Sequence, residues 1–413
     1  MRPFRRVRVE RRRTPHGAGA RRRRRARARR DRPFDAARRH PRRRSGVIPL
    51  VDLAAQHREI ADEVLAGWQS VLERTAFVLG DEVTDFEREF AGYTGVAHCI
   101  GVGSGTDALE LGLRACGVEP GDEVILPANT FVATAFAVDR AGATPVFVDV
   151  DPDSYLLDVQ QVKARLGPRT RAVIPVHLYG QLAPMEDLLD LLAGNDVAVV
   201  EDAAQCQGAH RHGKHAGTFG AVAATSFYPG KNLGAYGDAG AVLTESDELA
   251  RRIRALRNYG GEAKYEHPER GFNSRLDTLQ AVVLLAKLRR LDRWNAARAA
   301  AAARYTELLG PVEAVTVPSV APGNEHVWHL YVIRVPERDR VLAALHRDGI
   351  GAGIHYPVPV HLQGAFAGLG YSDGDFPVTE SAARSIVSLP MYPTITPEQQ
   401  ERVVDAVQRA VRG

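Results

Sequence analysis

Between residues 57 and 74 the apolar positions Ile60, Val64, Leu65, Trp68, Val71 and Leu72 recur at the spacing of one helix face. A second helix is predicted over Glu82–Thr94, with Val83, Phe86 and Phe90 on its apolar side. From Cys99 onward the pattern changes to short apolar runs separated by amphipathic segments. The runs Cys99–Val102, Glu123–Leu126, Pro145–Val148, Ala172–Val176, Val197–Val200, Ala223–Phe227 and Gly240–Thr244 read as strands. Helical spacing falls between several of them, at Asp107–Cys116, Thr130–Ala141 and Met185–Leu192. This alternation predicts an α/β fold with a mostly parallel sheet and helices on both faces. Residues 276–309 form one long helix-favouring stretch rich in Ala, Arg and Leu. Beyond it, His329–Val335, Arg338–Asp348 and Ile386–Leu389 predict a small α+β unit. The expected division is 1–46 as an extension, 47–290 as a large domain and 291–413 as a small C-terminal domain.

Charge separates the extension from the rest. Of 413 residues, 45% are hydrophobic and 25% charged, and the net charge is +4. Residues 1–45 hold 21 Arg, no Lys, two Asp and one Glu, a net +18, so the remainder carries −14. So Arg-rich and apolar-poor a segment cannot bury enough surface to offset its ordering entropy, and disorder is expected. A working tail would bind nucleic acid through its phosphates. The sharp compositional break, with coherent patterning from Val47, favours translation upstream of the true start. The acidic remainder repels phosphate backbones, which makes nucleic acid an unexpected partner. No apolar run approaches the roughly 18 residues of a membrane span. The three cysteines, Cys99, Cys116 and Cys206, are odd in number and contain no CxxC pair. That points to a reducing cytoplasm, and no metal ligand set is assigned.

Chemistry concentrates in three places. Gly101-Val102-Gly103-Ser104-Gly105-Thr106-Asp107 joins a strand to a helix, where glycines let backbone N–H groups approach an anion. Thr106 stands where a dinucleotide motif needs its third glycine, and a plain capped turn explains the segment equally well. The strand Val197–Val200 runs into Glu201 and Asp202, acids at the mouth where parallel strands bind ligands. Lys231 follows another strand in Ser226-Phe227-Tyr228-Pro229-Gly230-Lys231-Asn232. The segment lacks the spacing of a nucleotide P-loop. A lysine acting as an imine nucleophile must lose its proton, which needs about 4 kcal/mol of differential stabilisation from burial and neighbouring cations.

Together these segments resemble the DegT/DnrJ/EryC1/StrS family of pyridoxal-phosphate (PLP) sugar aminotransferases over roughly residues 47–410. The resemblance rests on Ser104-Gly105-Thr106-Asp107-Ala108-Leu109, Glu201-Asp202-Ala203-Ala204-Gln205, Ser226–Gly234 and Gly271-Phe272-Asn273-Ser274-Arg275-Leu276. It implies fold type I, aspartate aminotransferase-like, with PLP as cofactor. It further implies that Lys231 binds PLP covalently and that Asp202 pairs with the pyridine nitrogen. Gln205 would meet the ring hydroxyl and Phe131 the ring face. Thr106 and Asp107 backbone N–H groups and the Ser226 hydroxyl would hold the phosphate, joined by Asn273 from the partner subunit of a homodimer. Cys206-Gln207 departs from the family's usual residues after the Asp–Gln pair. Lys231 itself favours transamination over the dehydration of a related branch that carries His there.

By the same resemblance the amino donor is glutamate and the acceptor a nucleotide-linked ketosugar. The stretch Ser226–Gly240 looks most like enzymes acting at C3 of dTDP-3-keto-6-deoxyhexoses, with C4 amination of a GDP- or UDP-4-ketosugar as the alternative. His355, Tyr356 and His361 correspond to a segment near the sugar, although histidines in a loop are more often structural.

Overall fold

The computed structural model describes residues 46–261 and 265–412. The Arg-rich segment, and the expectation of disorder attached to it, lie outside the described residues. The strands are β1 (His98–Val102), β2 (Glu123–Pro127), β3 (Thr144–Val148), β4 (Thr170–Val173), β5 (Ala198–Asp202), β6 (His210–Arg211), β7 (Lys214–His215), β8 (Val222–Ser226), β9 (Gly240–Thr244), β10 (Asn324–Glu325), β11 (Tyr331–Arg334) and β12 (Ile386–Leu389). Seven form the main sheet in the order β1-β9-β8-β5-β4-β2-β3. From β8 to β3 neighbouring strands run parallel, and β9 alone is antiparallel to its neighbours β1 and β8.

The helices are α1 (Leu53–Arg74), α2 (Asp81–Thr94), α3 (Gly105–Ala115), α4 (Val132–Ala141), α5 (Val159–Arg165), α6 (Met185–Leu192), α7 (Asp247–Arg257), α8 (Thr278–Leu288), α9 (Leu291–Leu309), α10 (Arg338–Arg347), α11 (Pro377–Ser385) and α12 (Pro397–Arg412). The sheet strands bury apolar residues on both faces, which is why they read as continuous runs. One face packs on α3, α4 and α7 through Leu109, Leu113, Val138 and Ile253. The other meets α2 and α8 through Phe86, Phe90 and Leu284, and α5 and α6 through Val162 and Leu188. The α1 helix begins at Asp52, whose carboxylate accepts the Ala55 N–H at 3.2 Å.

The single stretch expected over 276–309 is two helices, broken at Arg289 and Arg290. Each half has a different partner: α8 packs against α1 and α2, whereas α9 packs against α12. The antiparallel pair β11–β12 shares a separate core with α9, α10 and α12, built on Tyr305, Ile333, Leu345, Leu389 and Val403. Ile48 joins this core and bridges to Ile350, and the next residues follow with Gly351 N–H to Ile48 O and Met391 N–H to Leu50 O. A three-stranded patch of β6, β7 and β10 went unpredicted, because its two-residue strands are too short to show a period. Among the described residues no helix is long and apolar enough to cross a membrane.

Candidate active site

The carboxyl ends of the parallel strands open into a cavity of about 440 Å³. Asp202 ends β5 with its main chain locked, its N–H donating to Pro175 O at 2.9 Å and its C=O accepting from His177 N–H at 3.0 Å. The side chain faces the cavity. The Thr134 hydroxyl donates to one carboxylate oxygen at 2.8 Å and the Ala204 N–H to the other at 3.2 Å. Burial raises the Asp202 carboxyl above its ordinary value, and these two bonds with the nearby Lys231 charge only partly oppose it.

Lys231 lies on a turn closed by its own N–H donating to Tyr228 O at 2.8 Å. Its amine lines the same cavity and makes no hydrogen bond or ion pair among the described residues. Burial brings its pKa down to about 8, against the opposing pull of Asp202. That raises the neutral fraction at pH 7 roughly 300-fold over an ordinary lysine. The value stops short of neutrality because a carboxylate faces the amine.

Ser104, Gly105, Thr106 and Ser226 form one end of the cavity. The Ser104 hydroxyl caps α3 by accepting the Asp107 N–H at 3.1 Å. Of the two N–H groups expected to receive an anion, that of Asp107 is therefore already used. Gly105 and Thr106, in the first turn, have no intrahelical acceptor for theirs. A Cβ on Gly105 would come within 2.6 Å of the Ser226 Cβ, and one on Gly240 within 2.5 Å of the Ser104 carbonyl. Only glycine lets strand end and helix start close into this cradle, which suits a phosphate. The Asp107 carboxylate faces away, accepting from Ser274 Oγ at 2.9 Å and Arg140 at 3.1 Å.

The Gln205 amide is oriented at both ends, its oxygen accepting from Tyr179 N–H at 2.7 Å and its nitrogen donating to Tyr356 Oη at 3.0 Å. Phe131 is half exposed, its ring centroid 5.4 Å from that of Tyr356. Both rings line the cavity, with His355, which hydrogen bonds to Ser388 Oγ at 2.8 Å.

Two expected residues are elsewhere. His361 is buried, its Nε2 3.2 Å from Glu380 and its ring centroid 4.6 Å from that of Phe376. It is a packed core histidine that does not line the cavity. Asn273 is exposed and is not among the cavity-lining residues of its own chain. Conversely, Thr134 and His329 line the cavity without having been singled out. Thr134 stands three residues after Phe131, on the first turn of α4, so helical spacing from Phe131 was an available signal.

A cavity with a neutralisable amine, a buried carboxylate, an aromatic wall and an anion cradle fits PLP. The comparisons agree. Residues 58–408 match the DegT/DnrJ/EryC1/StrS aminotransferase family. A dTDP-3-amino-3,4,6-trideoxy-alpha-D-glucose transaminase from Streptomyces venezuelae is 47% identical, over 87% of this chain and 95% of that protein. A UDP-N-acetyl-3-dehydro-alpha-D-glucosamine 3-aminotransferase from Acidithiobacillus ferrooxidans is 44% identical, over 89% and 98%. The solved structure of S. venezuelae DesV aligns with a TM-score of 0.87 and 46% identity, over 89% of this chain and 100% of that one. The chain belongs to the DegT/DnrJ/EryC1/StrS aminotransferase family and is a PLP-dependent nucleotide-sugar aminotransferase.

Proposed function

We propose that this enzyme moves an amino group from glutamate to C3 of a dTDP-3-keto-6-deoxyhexose. The Lys231 amine and the Asp202 carboxylate facing one cavity carry the aminotransferase half of this reading. The position on the sugar rests on the two relatives, both named for a 3-amino or 3-keto carbon, one on a dTDP sugar and one on a UDP sugar. Bound PLP supplies an electron sink for charge developing at the donor's α-carbon. Lys231 is the residue that would hold the cofactor covalently, and its released amine would carry the α-proton. Asp202 would keep the pyridine nitrogen protonated. Gln205 would meet the ring hydroxyl, Phe131 would cover the ring, and Gly105, Thr106 and Ser226 would receive the phosphate. His355 and Tyr356 stand at the sugar end.

Asn273, being outside its own chain's cavity, reaches a phosphate only across a subunit interface. Exposed Leu65, Leu72, Phe77, Val78 and Leu79 supply apolar surface for a second copy. The decisive assay offers dTDP-, UDP- and GDP-linked 3-keto and 4-keto sugars with glutamate. Preferred turnover of a 4-ketosugar would overturn the C3 reading. Sedimentation, and restored activity when Lys231→Ala and Asn273→Ala subunits are mixed, test the shared dimer.

A further inference from the structure

Behind the cavity runs a chain of buried amides with a single direction. The Asn295 side-chain N–H donates to the Gln207 backbone carbonyl at 2.9 Å, so its oxygen is the acceptor for the next member. Asn232 Nδ2 donates to that oxygen at 2.9 Å and to Val327 O at 2.9 Å. Both amide orientations are thereby fixed, and Asn232 Oδ1 is left as an acceptor. His329 Nδ1 lies 3.2 Å from it. An acceptor opposite Nδ1 requires the proton on Nδ1, so Nε2 carries a bare lone pair.

His329 lines the cavity together with Lys231, and its Nε2 has no partner among the described residues. Asn232, which holds the ring, is the next residue after Lys231, so the imidazole is registered to the lysine's own main chain. Burial, and then the Lys231 charge, hold the imidazole well below its ordinary pKa, which keeps the lone pair free. Asp202 already accepts from Thr134 and Ala204 and Tyr356 Oη from Gln205, whereas His329 Nε2 accepts from no described residue.

We infer that His329 is a positioning residue for Lys231 in the PLP-loaded enzyme: its Nε2 accepts a hydrogen bond from the Lys231 amine when the amino donor releases it, and so aims the amine's lone pair at the reacting carbon. The inference rests on the reading of Lys231 as the cofactor-bearing base. The role differs from anchoring. Loss of His329 slows proton transfer and leaves cofactor retention in place. It also explains why a neutral amide chain, with no carboxylate, backs the ring, since an acid at Asn232 would favour the imidazolium and remove the acceptor.

The test uses the PLP-loaded enzyme and single-turnover reaction with glutamate, followed by cofactor absorbance. His329→Leu should lower the rate on the order of 30-fold and enlarge the isotope effect with α-deuterated glutamate, with PLP affinity within about twofold of the parent. His329→Gln, whose amide oxygen can stand near the Nε2 position, should recover part of the rate. A rate within twofold of the parent in His329→Leu, or a loss explained wholly by weaker PLP binding, overturns the proposal. Nitrogen-15 NMR of histidine-labelled parent enzyme provides a readout without substitution: a protonated Nε2 on His329 also overturns it. Borohydride trapping keeps the two readings apart. An unmodified Lys231 in the parent enzyme defeats the lysine assignment, whereas trapped Lys231 with an unchanged His329→Leu rate defeats only this one.

Discussion

Glu201 and Asp202 are adjacent carboxylates at the end of one strand, and the protein treats them in opposite ways. Strand alternation sends them to opposite faces of the sheet. Glu201 is sealed away, its oxygens accepting the N–H groups of Gly217, Phe219 and Gly220 and the Nε2–H of His177. The His177 tautomer is set because its Nδ1 accepts from Ala183 N–H at 3.2 Å. Burial pushes the Glu201 carboxyl up, yet these bonds outweigh it and hold the group below its ordinary value. Asp202 receives two bonds, and there burial wins. A fully saturated carboxylate is a structural tie. One with spare acceptor capacity beside a cavity is available to a ligand.

Substitution separates the two acids and their neighbours. Lys231→Ala should have the largest effect, cutting turnover by about 10⁴-fold, equivalent to about 5.5 kcal/mol of barrier, with loss of borohydride trapping. Glu201→Ala should act on stability, costing about 3–5 kcal/mol of unfolding free energy and lowering the denaturant midpoint of the apo-enzyme, because it strands a ring of buried donors. Asp202→Asn should do the reverse, lowering single-turnover rate on the order of 100-fold with little change in that midpoint. Equal rates in Asp202→Asn and parent enzyme would remove the distinction between the two acids. Ser226→Ala should weaken PLP retention about tenfold at nearly unchanged saturated turnover, read by titrating PLP into apo-enzyme. The smallest effect is one of pH. The rate of PLP attachment to apo-enzyme follows the neutral amine, so it should rise about fivefold from pH 7 to 8 and level off above, whereas an amine at 10.5 would keep climbing.

The parallel core was legible because buried strands are short and apolar, and nearly every expected run became a strand. That Lys231, Asp202 and Gln205 lie together at the cavity was legible because their motifs place them at or just after strand ends, where parallel sheets open. His361 misled because a loop histidine looks alike whether it meets a substrate or, as here, Glu380. The Asp107 N–H was miscounted because capping by Ser104 competes with ligand binding at a helix start. His329 gave no local signal at all. Its importance comes from Asn232 and Asn295, the first almost a hundred positions earlier in the chain, and only folding brings the three together.

Leu50 and Val51 line the cavity two and three residues after Ile48, which is stitched to Ile350 and Gly351. The first described residues are thus mortar for the small sheet and a wall of the catalytic chamber at once. Removing residues 48–51 would take away both at once. A loosening of β11 and β12 would thus reach the cavity wall through Leu50 and Val51.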